Sequence, residues 1–108
     1  MPYYLIEATY TPASMSALIQ SPQDRPKMLR AVIERLGGKL ENGWLAFGDY
    51  DVVLICQMPN AQSMAALSMA VSAGGGVNAI RTTPLLSWDE GILAMRQAAQ
   101  AGYQPPGR

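Results

Sequence analysis

The chain has 108 residues, 49% of them apolar and only 15% charged, and its eight basic and eight acidic residues cancel. That length fits one domain, and the balanced charge excludes the basic face that grips a nucleic-acid backbone. No apolar run is long enough to span a bilayer and the start, MPYYLIEATY, lacks a signal-peptide pattern, so a cytoplasmic location without membrane contact is expected.

YYLIEATY (3–10), bounded by Pro2 and Pro12, reads as a first strand. TPASMSALIQ follows, with Thr11 as N-cap, Pro12 at the first helical position, and Met15, Leu18 and Ile19 on one face of a short helix. Ser21-Pro22 ends that pattern. A longer helix is predicted over 24–36 from the spacing of Met28, Leu29, Val32, Ile33 and Leu36, capped by Asp24 and stopped by Gly37-Gly38.

KLENGWLAF (39–47) reads as a second strand with a bulge at Asn42-Gly43. DVVLICQM (51–58) is the third, joined to it by a tight hairpin at Gly48-Asp49-Tyr50. Residues 61–73 form a helix with a Met64, Leu67 and Val71 stripe, ended by Gly74-Gly75-Gly76. Those glycines precede a strand, whereas a phosphate-binding loop precedes a helix, so they are read as a connection. VNAIRTTPLL (77–86) is a fourth strand, where Pro84 suits a sheet edge. A final helix covers 87–103, with the capping-box pair Ser87 and Glu90.

The order βαββαβ is the ferredoxin-like, α+β pattern: an antiparallel four-stranded sheet with an extra C-terminal helix. The first and third strands are expected to be the inner pair and to run parallel within the mostly antiparallel sheet. Residues 1–103 form the domain and 104–108 a tail. In the third strand Val52, Leu54, Cys56 and Met58 point to one face and Val53 and Ile55 to the other. A sheet with one wet face should alternate apolar and polar residues. A strand apolar on both faces, in so weakly charged a chain, points to a second subunit packed sheet against sheet.

The segments SPQDRPKMLRAVIERLGGKLENGWLAFGDYDVVLI and TTPLLSWDE resemble the GYD-domain family, named for a Gly-Tyr-Asp motif in the hairpin before the third strand. Here the motif reads Gly48-Asp49-Tyr50-Asp51, with one aspartate inserted, and the likeness runs from YYLIEATYT to GYQPP. The resemblance implies a small protein of the dimeric α/β-barrel type and no established reaction. Wider structural relatives include cofactor-free monooxygenases, isomerases and haem-dependent enzymes, so any activity carried across is analogy from fold alone.

The chain has no histidine and a single cysteine, Cys56. This excludes Ser-His-Asp and Cys-His catalytic units and internal disulfides, and it removes the commonest zinc and haem ligand. No cofactor or metal is expected. Asp49 and Asp51 could act as bases with Tyr50 as donor, but turn chemistry favours structural roles. Glu7 is the acid to watch, because it lies mid-strand on the face of Leu5, with Arg81 a candidate partner in the neighbouring strand. Such a pair either fixes register or works with Tyr50 on a substrate. Tyr3, Trp44, Thr82 and Thr83 complete the candidate ligand-binding set. Three function classes follow: an oligomeric module holding a small apolar organic molecule between sheets, a cofactor-independent monooxygenase or isomerase with an inter-sheet site, and a regulatory ligand-binding module.

Overall fold

The computed structural model describes residues 1–107; Arg108, the end of the expected tail, lies outside them. The elements are β1 (Tyr3–Tyr10), α1 (Pro12–Gln20), α2 (Arg25–Arg35), β2 (Lys39–Leu45), β3 (Val52–Gln57), α3 (Ala61–Ala73), β4 (Val77–Leu85) and α4 (Trp88–Ala99). Each helix start is fixed by a short polar side chain. Thr11, Asp24, Asn60 and Ser87 accept backbone N–H bonds from Ser14, Lys27, Ser63 and Glu90 respectively. A cap of this kind stabilises a helix by about 1 kcal/mol. Glu90 accepts the Ser87 N–H at 3.0 Å, completing the capping box, and these bonds hold its carboxyl below its ordinary value.

The four strands form one sheet in the order β2-β3-β1-β4, and every neighbouring pair is antiparallel. The fold is therefore the expected ferredoxin-like α+β type. β1 and β3 are the inner strands, but they run antiparallel, which corrects the parallel pairing expected from the sequence. The reason is the β2–β3 hairpin: it reverses the chain, so the strand parallel to β1 is β2, and β3 lies between them. The connection is also longer than a tight turn. β2 ends at Leu45, β3 starts at Val52, and the loop is closed by the Ala46 N–H donating to the Asp51 carbonyl at 2.8 Å. The bulge falls at Glu41, between Leu40 and Asn42, one residue ahead of the expected place.

Alternation along β1 and β3 divides the sheet into two faces. Tyr4, Ile6 and Ala8, with Val52, Leu54 and Cys56, point toward the helices and join Ile33, Met58, Met64 and Leu67 in the core. Burial pushes the Cys56 thiol up to about 11, so it stays protonated and unreactive at neutral pH. Leu5, Glu7, Val53 and Ile55 point the other way and are only half-buried. Among the described residues no helix covers that second face; only the start of α4 borders it, beside Tyr3, Ile55 and Leu85.

The helix layer is uneven. α2 buries Ile33 and α3 buries Met64 and Leu67, but α1 buries none of its residues, and Ile19 is 73% exposed. α4 also buries nothing. It carries Trp88, Ile92 and Met95 outward, and the whole chain measures 57 × 34 × 22 Å. The radius of gyration is 17.2 Å, against roughly 13 Å for a compact domain of this size.

Gly43 is where α2 meets the sheet most closely. A Cβ there would stand 2.6 Å from Pro26 Cβ and 2.7 Å from Leu54 Cδ2. Gly43→Ala is expected to destabilise the fold by about 1–3 kcal/mol through this overpacking, read as a lower urea midpoint at unchanged slope.

Candidate functional site

Two places on the sheet collect chemically capable side chains, and they lie on opposite faces. On the helix-free face, Glu7 of β1 and Arg81 of β4 are register partners. Arg81 is exposed, and among the described residues the ion pair within 4.0 Å is Lys39–Glu41, not Glu7–Arg81. Arg81 Nη1 instead donates to Tyr50 Oη at 3.4 Å, so the hairpin loop reaches across the end of β1. The guanidinium's proton is held more tightly than usual, first by this hydrogen bond and charge interaction with Tyr50, then by the charge of Glu7. The structure places Glu7, Arg81 and Tyr50 near one another as an open group, with no Glu7–Arg81 ion pair within 4.0 Å.

Around them the same face is apolar. Trp44 stands opposite Val53, Leu5 opposite both Ile55 and Thr83, and Tyr3 opposite Leu85. Trp44 is 49% and Tyr3 44% exposed. Gln57 Nε2 donates to Glu41 Oε1 at the β2 edge. Thr82 and Thr83 do not act together: Thr83 shares the open face, whereas Thr82 points with Ile6 toward the helices. The Thr82 hydroxyl is buried without a hydrogen-bond partner.

The two aspartates of the loop also separate. Asp49 is exposed. Asp51 is structural: its N–H donates to the Ala8 carbonyl at 2.9 Å, and its Oδ2 accepts the Tyr10 N–H at 2.8 Å. It therefore ties the hairpin to the far end of β1, a long-range role that turn chemistry alone does not reveal.

The second place is a cavity of about 450 Å³ between the helices and the sheet, which residue patterns do not foretell. Ile6, Ala8, Val52 and Leu54 form its floor, and Leu29 and Val32 of α2 one wall. Its space comes from small residues where helices would otherwise close: Ala17, Ala70, Gly74 and Gly76. The polar groups in the lining are few, chiefly Tyr10, Ser14, Gln23 and Arg25. Arg25 Nη1 donates to Gln23 Oε1 at 3.3 Å. Burial pushes the Tyr10 phenol up, opposed by the charge of Arg25 and reinforced by that of Asp51. The only signal for this cavity in the sequence is the alanines and serines of α1 and α3 and the glycines that follow α3, which also fit close packing. No group of three or more acidic or cysteine side chains is placed to hold a metal among the described residues.

The GYD domain matches residues 4–95. No curated protein matches the sequence. Among solved structures, the chain is similar to FFRP-DM1, at 10% identity with a TM-score of 0.50, covering 80% of this chain and 100% of that one. It is also similar to TTHA0845 of Thermus thermophilus, at 14% identity and TM-score 0.53 over 81% of this chain and 95% of that one. The hypothetical protein PHS023 of Pyrococcus horikoshii gives 7% identity and TM-score 0.52, over 81% and 92% respectively. At such identities the likeness is one of fold.

Asp51→Ala is expected to lower unfolding free energy by about 1–3 kcal/mol, because it strands a Tyr10 N–H that only Asp51 satisfies. Asp49→Ala should stay within about 0.5 kcal/mol of the parent. Chemical denaturation of the two variants checks the contrast; equal effects would remove the structural role assigned to Asp51.

Proposed function

This chain belongs to the GYD-domain family, and we propose that it is a self-associating module that binds a small, largely apolar organic molecule. One observation carries the binding half: the cavity between helices and sheet is mostly apolar, of about 450 Å³, with a few polar groups in its lining. Ligand sites typically span about 300–1,000 Å³ and have this composition. A molecule entering it would bury its apolar body against Ile6, Leu29 and Leu54.

The self-association half rests on the open sheet face. Leu5, Trp44, Val53, Ile55 and Leu85 form one apolar patch, and patches of this kind mark interaction surfaces. A second copy of the chain is the occupant the face fits. Glu7 and Arg81 lie side by side within the patch, so a two-fold axis through it would set each charge against its opposite. α4 continues the surface: its first turn borders Tyr3, Ile55 and Leu85, and Trp88, Ile92 and Met95 extend it beyond the sheet. In this reading Glu7, Arg81 and Tyr50 orient the interface. A catalytic role for them has less support, because the cavity includes none of the three.

Light scattering at micromolar concentration should give twice the chain mass of 11.6 kDa. Ile55→Asp should give the monomer mass with an unchanged far-ultraviolet dichroism spectrum. A parent protein that runs as a stable monomer would overturn the self-association reading.

The apolar dye N-phenyl-1-naphthylamine should bind with a rise in fluorescence. Ala70→Phe, which projects into the cavity, should weaken it by about tenfold or more, or 1.4 kcal/mol. Ile55→Asp should leave dye binding in place, which separates the cavity from the open face. Binding that survives Ala70→Phe and is lost in Ile55→Asp would place the ligand on the other side of the sheet.

A further inference from the structure

The cavity between the helices and the sheet is not uniformly greasy, and its one cation defines a direction within it. Arg25 opens α2 and, among the described residues, is the only lysine or arginine in the lining. Its Nη1 bonds are to Gln23 Oε1 at 3.3 Å and Met28 Sδ at 3.5 Å, both weak acceptors compared with a carboxylate. Among the described residues no acid lies within 4.0 Å of it, although it is partly buried. Asp24, its neighbour, is engaged in capping α2 through the Lys27 N–H at 3.0 Å. Asp51, whose charge is felt at the Tyr10 phenol, is outside the lining and accepts the Tyr10 N–H at 2.8 Å. A guanidinium has five N–H donors in a planar fork, so most of this fork is unused.

Tyr10 and Ser14 complete the polar end. Both line the cavity. The Ser14 oxygen accepts the Thr11 hydroxyl at 3.0 Å, which leaves its own hydrogen available. The Tyr10 phenol keeps its proton, since burial raises its pKa further above neutrality. All three groups can therefore donate to an oxygen that enters the cavity, Arg25 lies close enough to Tyr10 for its charge to act on the phenol, and apart from Gln23 the other lining side chains are apolar.

We infer, on the reading that this cavity is a ligand site, that its ligand class is a small organic carboxylate with an apolar body, its head on Arg25 and its body over Ile6, Leu29 and Leu54. The fork of Arg25 suits a planar two-oxygen acceptor, held by two parallel bonds. A phosphate monoester carries more charge than one guanidinium balances. A cation would meet Arg25 with like charge, and a neutral alcohol leaves most of the fork unused.

The test is displacement of N-phenyl-1-naphthylamine at pH 7 by decanoate and 2-naphthoate, each compared with its neutral alcohol, decanol and 2-naphthalenemethanol. Each acid should displace the dye at roughly tenfold lower concentration than its alcohol, the scale of a charge-assisted hydrogen bond. Arg25→Gln should erase that difference while alcohols and dye bind as before; Tyr10→Phe should reduce it. Melting temperature and dye affinity confirm that the variants are folded with the cavity intact. If acid and alcohol compete equally, or Arg25→Gln leaves the acid advantage unchanged, the head-group assignment is wrong and the apolar cavity stands. If the dye fails to bind, or binds Ala70→Phe as tightly as the parent, the cavity reading fails and takes this inference with it.

Discussion

The inner strands β1 and β3 are apolar on both faces, while α1, α2 and α3 cover only one. Everything else in the structure answers to that imbalance. On the covered face, alternate residues from Tyr4 to Ala8 and Val52 to Met58 reach near-complete burial. On the other, Leu5, Val53 and Ile55 remain half-exposed although nothing in their chemistry favours water. A sheet that separates oil from solvent would carry polar residues there. This one carries Glu7 and Arg81 near its middle and Lys39, Glu41 and Gln57 toward the β2 edge, while Leu5, Trp44, Val53 and Ile55 between them are apolar, so the uncovered face is richer in apolar side chains than a wet sheet face should be.

The helix layer shows the opposite economy, with coverage but incomplete filling. α2 approaches so closely that only glycine fits at position 43, beneath Pro26. α1, by contrast, has its apolar residues on a stripe but buries none of them. Protein interiors normally pack to crystal-like density. Space left under a capped, well-formed helix departs from that density, and Ala17, Ala70 and Gly76 in its lining leave room beside it. Gly76 is a partial exception, because a Cβ there would stand 3.3 Å from Ser14 Oγ.

Much of this is readable from residue order. The period-two pattern of β1 and β3, the caps at Thr11, Asp24 and Ser87, and Pro84 at an edge strand all act locally, and local patterns survive in a sequence. The grouping of Glu7, Arg81 and Tyr50 is readable too, because strand adjacency follows from the fold. Strand direction is harder, because it depends on counting reversals through the hairpin, and there the sequence-based expectation fails. Register does not resolve the Glu7–Arg81 contact, because two side chains on paired Cα atoms can still turn to different partners, and Arg81 turns to Tyr50. The cavity is invisible for a deeper reason: it is set by how far α1 stands from the sheet, and no spacing of apolar residues encodes a gap.

The hairpin loop that carries the family's motif joins these two halves of the molecule. Its consecutive residues Tyr50 and Asp51 hold two different strands of the sheet. Tyr50 meets Arg81 on the open face, while Asp51 holds the main chain of Tyr10, whose ring lines the cavity. The first contact reaches β4 and the second β1, the strand that lends Glu7 to one face and Tyr10 to the other. Displacing the loop would therefore disturb the end of β1 and the position of Arg81 together, and with them Glu7 on one face and the Tyr10 ring in the cavity on the other. A motif read first as a turn is better described as a brace: Tyr50 ties the hairpin loop to β4 through Arg81, and Asp51 ties it to the end of β1 through the Ala8 carbonyl and the Tyr10 N–H.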